Sequence, residues 1–109
     1  MPEETKKPTD YSKLIAACKR KFSIEIGSHT VPVYTYKGLE DDHDAKGMAV
    51  MFPEYAIILA AGLSKEDSRR TLLHEAFHII SEMYALDFPE QLVLLLEQSV
   101  FQVIRQRRL

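Results

Sequence analysis

The stretch Leu72-Leu73-His74-Glu75-Ala76-Phe77-His78-Ile79-Ile80 decides how the rest of this chain is read. Two histidines four positions apart, with a glutamate directly after the first, form the pattern H-E-x-x-H. On a helix, residues four apart differ by only about 40° in azimuth, so both imidazoles project from one face and can share an ion. Glu75 lies roughly 100° round from His74, which places it beside such an ion rather than on it. There it can take a proton from the attacking water. Leu72, Leu73, Ala76, Phe77, Ile79, Ile80 and Met83 cover the other side, so this helix is expected to be central. Thr71, Ser81 and Ala85, one turn either side of the pair, are small and leave room for an ion and a partner helix. The competing reading is two core histidines satisfied by hydrogen bonds; it would prevail for an isolated histidine, and the spacing weighs against it here.

Working outward, Ser64 followed by Glu66 and Asp67 supplies an N-cap with acidic first-turn residues, so the helix should start near Lys65 and run to about Tyr84. Before it, Met48 to Phe52 and Ala56 to Leu59 are short apolar runs separated by Pro53, Glu54 and Tyr55, the pattern of a hairpin. Gly38 to Gly47 is polar and acidic and reads as a loop. Val31 to Tyr36 is rich in β-branched and aromatic residues and reads as a strand, with Pro32 arguing for an edge or a strand start. Leu14, Ile15, Cys18 and Phe22 recur at helical spacing, predicting a helix over Tyr11 to Phe22. After the central helix, Asp87, Phe88 and Pro89 open a last helix that continues to about Arg107. The expected fold is α+β: an N-terminal helix, a small three-stranded largely antiparallel sheet, the H-E-x-x-H helix and a C-terminal helix. Residues 1–10 read as a flexible tail and 11–109 as a single domain.

A site of this kind needs one more protein ligand. On the last helix, Val93, Leu94, Val100, Phe101 and Ile104 all fall within about 60° of Glu97, which therefore sits in the middle of the apolar stripe. A buried carboxylate needs a strong partner, and no basic residue lies on that stripe before Arg105. Glu97 is accordingly the expected third ligand. Glu90 shares nearly the same azimuth two turns earlier, but its place in the first turn is explained by the helix dipole. His29 and His43 flank the polar loop and are expected to be solvated, with either able to serve as a transition-state hydrogen-bond donor.

The bulk properties set limits. The 109 residues suit one domain, and an apolar content of 46% can build one core; a bound metal would stabilise so small a fold. A net charge of -2 gives no sign of a nucleic-acid partner. Cys18 is the only cysteine, which excludes an internal disulfide and a cysteine-based zinc site and points to a reducing compartment. Neither a signal peptide nor a membrane-spanning apolar run is evident, so a soluble cytoplasmic protein is expected.

A helix bearing H-E-x-x-H, followed by a second helix that supplies a glutamate about twenty residues on, resembles the gluzincin zinc peptidases. Within that group the size, the short preceding strands and the sequence Leu72 to His78 look most like the minimal ImmA/IrrE-like metallopeptidase domains of phage and mobile elements, and the minimal stand-alone gluzincins. The resemblance implies one zinc ion per chain held by His74, His78 and Glu97, with Glu75 as general base. It also implies hydrolysis of peptide bonds, endopeptidase rather than exopeptidase, on a peptide or on one specific protein partner. By the same resemblance Met48, Ala49, Val50 and Met51 are the candidate for the exposed strand that often pairs with extended substrate in this group, the alternative being an ordinary core hairpin. Two features depart from the pattern. Phe101 stands one turn after Glu97, where larger gluzincins often carry an acidic residue, and no histidine or tyrosine follows Glu97 to steady the oxyanion. His43, Tyr55 and Tyr84 are the remaining candidates for that task, although Tyr84 falls on the apolar side of its helix. The alternatives are a non-catalytic binding or regulatory module stabilised by zinc, and a helical interaction protein with no metal.

Overall fold

The computed structural model describes residues 11–40 and 45–107. Its elements are α1 (Ser12–Ala16), β1 (Lys19–Ile26), β2 (His29–Tyr36), β3 (Gly47–Val50), β4 (Ala56–Ala60), α2 (Lys65–Met83) and α3 (Glu90–Arg107). The protein is an α+β domain.

Ala56-Ile57-Ile58-Leu59-Ala60 is apolar at every position, which is the pattern of a strand covered on both faces. It forms β4, buried along its whole length. The sheet order is β1-β2-β4-β3, with β4 parallel to β2 and antiparallel to β3. Successive side chains of β4 enter different cores. Ile57 and Leu59 join Val31, Val33 and Ile26 under α2, where Ile79, Leu72, Ala76 and Ile80 complete the layer. Ala56, Ile58 and Ala60 join Val50 and Leu39 on the opposite face, covered by Tyr11, Leu14, Ile15 and Cys18.

Two expectations are corrected. The N-terminal helix stops at Ala16, not Phe22, and the chain turns into β1. The reason lies in Phe22-Ser23-Ile24-Glu25-Ile26, which alternates with the period of a strand and leads into Gly27 at φ +59, a tight turn to β2 that suits glycine. Ile24 and Ile26 face the α2 core, whereas Phe22, expected to be buried, is 45% exposed. This extra strand makes the sheet four-stranded. The sheet is mixed: two of its three pairings are antiparallel, as expected, and β2 and β4 run the same way. Pro32 sits just before pairing with β4 begins at Val33, so its missing N–H breaks no ladder there.

α2 begins as its sequence predicts: the Ser64 hydroxyl accepts a hydrogen bond from the Asp67 amide at 3.1 Å. After Met83 the chain reverses through Ala85 and Asp87, both at positive φ (53° and 57°). Ser81 ties the turn, its carbonyl accepting from Leu86 N at 2.9 Å and its hydroxyl from Phe88 N at 2.7 Å. α3 then runs back along α2 with Val93, Glu97 and Phe101, spaced four apart, on its buried face. Among the described residues no helix is long and apolar enough to cross a membrane.

Candidate metal centre

α2 and α3 meet around the two histidines. His74 Nε2 and His78 Nε2 are 3.2 Å apart, as the helical spacing requires of two imidazoles that converge. Glu90, in the first turn of α3, reaches both: one carboxylate oxygen lies 3.0 Å from His74 Nε2 and the other 3.0 Å from His78 Nε2. Each of the three residues offers one ligand atom, and these atoms all lie within 4.8 Å of one another. In a tetrahedral site with bonds of 2.0–2.1 Å, ligand atoms stand roughly 3.3 Å from each other. The Nε2–Nε2 separation of 3.2 Å falls close to that, Glu90 sets one oxygen against each nitrogen, and two imidazole nitrogens with a carboxylate form a donor set that suits zinc. The residues present fit such an ion.

Glu97 also arrives at the centre, but on the other side of the ring. Its Oε1 lies 3.0 Å from His74 Nδ1, and its Oε2 accepts a hydrogen bond from Arg70 Nε at 3.1 Å. The residue expected as third ligand therefore touches the second nitrogen of His74, and Glu90, assigned from sequence only to the helix dipole, occupies the position beside both Nε2 atoms. A carboxylate only accepts, and His74 has one at each ring nitrogen, Glu97 at Nδ1 and Glu90 at Nε2; with an ion at Nε2, the proton of neutral His74 would sit on Nδ1 against Glu97.

Glu75 is buried at 9% exposure on the sheet side of α2. Burial pushes its carboxyl up from the ordinary 4.5 to about 7; His74 opposes the rise, while the negative charges of Glu90 and Glu97 add to it. An acid that gains and loses its proton near neutrality matches the demands on a general base. β3 comes close to this group because residue 47 is glycine: a Cβ there would collide with Thr71 Cγ2 and lie 3.2 Å from Glu75 Cγ and Oε2. A cavity of about 330 Å³ opens here, walled by Gly47, Arg70, Thr71, His74, Glu75 and Glu97.

The other sequence candidates are more scattered. Met48 to Val50 lie on β3, the end strand of the sheet, with Ala49 and Met51 packed toward α2 and Met48 and Val50 toward the opposite core. Tyr55 lines a separate cavity with His29 and Met51, its ring edge-on to His29 at 5.5 Å. Tyr84 is half exposed, and its hydroxyl approaches Gly27 at the β1–β2 turn, not the histidines. His43 lies outside the described residues. Sequence reasoning missed Arg70 as well as the approach of Glu90 to both Nε2 atoms. Arg70 precedes His74 by one helical turn, a spacing that marks it as a neighbour on the same face. In comparisons with protein family models, curated proteins and solved structures, nothing matches this chain.

Proposed function

We propose that this chain is a zinc-dependent peptidase of gluzincin type, with His74, His78 and Glu90 holding the ion and Glu75 serving as general base. The observation that carries this reading is the convergence of His74 Nε2, His78 Nε2 and the Glu90 carboxylate at 3.0–3.2 Å, beside a buried carboxyl titrating near neutrality. Among the described residues, ionised Glu75, Glu90, Glu97 and Asp67 outnumber Arg70 and Lys46 around the centre and its cavity, a negative surplus that a divalent cation would balance. A zinc ion bound there would polarise a peptide carbonyl and acidify water. Glu75 accepts the proton of the attacking water and passes it to the leaving amine. An extended peptide pairing along the end strand β3 would bring its carbonyl toward the cavity lined by Gly47 and His74. The helix-on-sheet arrangement, with its two antiparallel helices, is consistent with a zincin-like fold. A single cysteine fits a reducing, cytoplasmic setting, with a peptide or one protein as substrate.

Metal analysis of freshly purified protein and of Glu75→Gln provides the test. About one zinc per chain in both proteins is expected. Cleavage of a peptide library, read by mass spectrometry, should occur with the wild type and not with the variant. Less than about a tenth of an equivalent of zinc, with no uptake on addition, would end the metal reading. A Glu75→Gln protein that cleaves as well as wild type would end the proposed mechanism. One observation favours a second reading, a zinc-stabilised binding module: neither Tyr55 nor Tyr84 stands at the centre to steady an oxyanion. That reading predicts stoichiometric zinc in both proteins and cleavage by neither.

A further inference from the structure

We propose that Arg70 and Glu97 form a positioning relay: Arg70 fixes Glu97, Glu97 fixes the His74 ring, and the ring is thereby held with Nε2 as the metal-binding nitrogen. This rests on the metal reading of the centre. Each oxygen of the Glu97 carboxylate has its own partner, Arg70 Nε at 3.1 Å and His74 Nδ1 at 3.0 Å. Arg70 and His74 are one turn apart on α2, so the carboxylate of α3 spans two successive turns of the neighbouring helix. Arg70 is itself held from the α3 side, its guanidinium lying over the Phe101 ring at 5.8 Å, one turn beyond Glu97. The arrangement leaves little freedom to any of the three.

Its consequence goes beyond satisfying a buried carboxylate. Arg70 alone would neutralise Glu97; the second oxygen is spent on an imidazole, and that contact selects the tautomer. An imidazole bound at Nδ1 would present its Nε2 lone pair to an ion held between it, Glu90 and His78. Turning the ring over would bring Nδ1 to that side and sacrifice the hydrogen bond to Glu97. Arg70 also keeps Glu97 from ligating: a carboxylate engaged at Nδ1 and at the guanidinium cannot at the same time join the Nε2 atoms. In this way Arg70, which belongs to no ligand set, decides that Glu90 is the third ligand. Carboxylates that hold the far nitrogen of a ligand histidine typically affect metal affinity by about 10–100-fold.

The test measures zinc affinity by competition with a chromophoric chelator, and, from nitrogen-15 shifts of the ring in the zinc-loaded protein, which His74 nitrogen carries the proton. Wild type, Arg70→Met, Arg70→Lys and Glu97→Gln are compared. The relay predicts about 10-fold or greater weakening of zinc binding in Arg70→Met and in Glu97→Gln. It predicts mixed His74 tautomers in both, with Arg70→Lys restoring most of the affinity and the single tautomer. Should Arg70→Met fail to fold, Glu97→Gln, which keeps the side-chain shape, carries the same expectation. Wild-type zinc uptake with affinity within about 2-fold in both variants, and an unchanged tautomer, would overturn the relay and leave the metal centre standing. No uptake by the wild type would overturn the metal centre itself, and the relay with it.

Discussion

Replacing Glu75 by glutamine in the metal-free protein should stabilise it at alkaline pH. The carboxyl has an ordinary value of 4.5 and is raised to about 7 in the fold, chiefly by burial. The folded state thus holds this proton more tightly than the unfolded chain does, and its stability falls as pH rises between those two values. Below 4.5 the group contributes its full share; above about 7 the fold contains a buried charge with too little compensation. At about 1.4 kcal/mol per pH unit, the interval corresponds to about 3 kcal/mol, a large part of the 5–15 kcal/mol that holds a typical domain together. Glutamine preserves the shape and never ionises. In urea unfolding with a chelator present, Glu75→Gln should exceed wild type by about 3 kcal/mol at about pH 8.5, and by less than about 1 kcal/mol at about pH 5. Taking the difference between the two proteins cancels the histidines and other carboxylates to first order. A gap of the same size at both pH values would refute the reasoning, because it would mean that burial does not discriminate against the ionised carboxyl.

Zinc at about a thousand times its dissociation constant should stabilise the wild type by about 4 kcal/mol, measured as a raised thermal midpoint, and Glu90→Gln should lose most of that gain. Gly47→Ala should cost about 1–3 kcal/mol in the same assay, since the new methyl group meets Thr71 and Glu75 and forces β3 off α2. Ala85→Gly should stabilise by roughly 0.5–1 kcal/mol in urea unfolding, because it relieves a left-handed backbone at φ 53; a loss of stability would show that the alanine methyl group matters more than its backbone.

Local signals in the sequence carried far. The Ser64 cap, the apolar side of α2 and the uniformly apolar β4 each follow from residues close together in the chain, and each forms as those residues dictate. The N-terminal region misled because Leu14, Ile15 and Cys18 fit a helix and Phe22 happens to extend their spacing, although Ile24 and Ile26 already keep the alternation of β1. Parallel pairing of β2 with β4 depends on contacts distant in sequence, and no local pattern encodes it. At the candidate site, the convergence of His74 and His78 and the place of Glu75 beside them were legible from helical geometry. Glu97 was correctly placed among buried groups in need of a partner, but that partner, Arg70, comes from the preceding helix and not from its own stripe. Azimuth alone could not separate Glu90 from Glu97, two turns apart on one face. Which of them meets Nε2 depends on how far α3 slides along α2, a quantity set by the Ser81 turn.

That sliding distance has a broader consequence. Glu90 and Glu97 ride on one rigid rod, so a shift of α3 by a single turn, 5.4 Å, would withdraw both from His74 together. A slide of the whole helix therefore cannot remove one carboxylate and leave the other. Were an ion held there, its occupancy would gauge helix alignment, and a change at Phe101, the seam residue beneath Arg70, should be readable as altered retention of the ion.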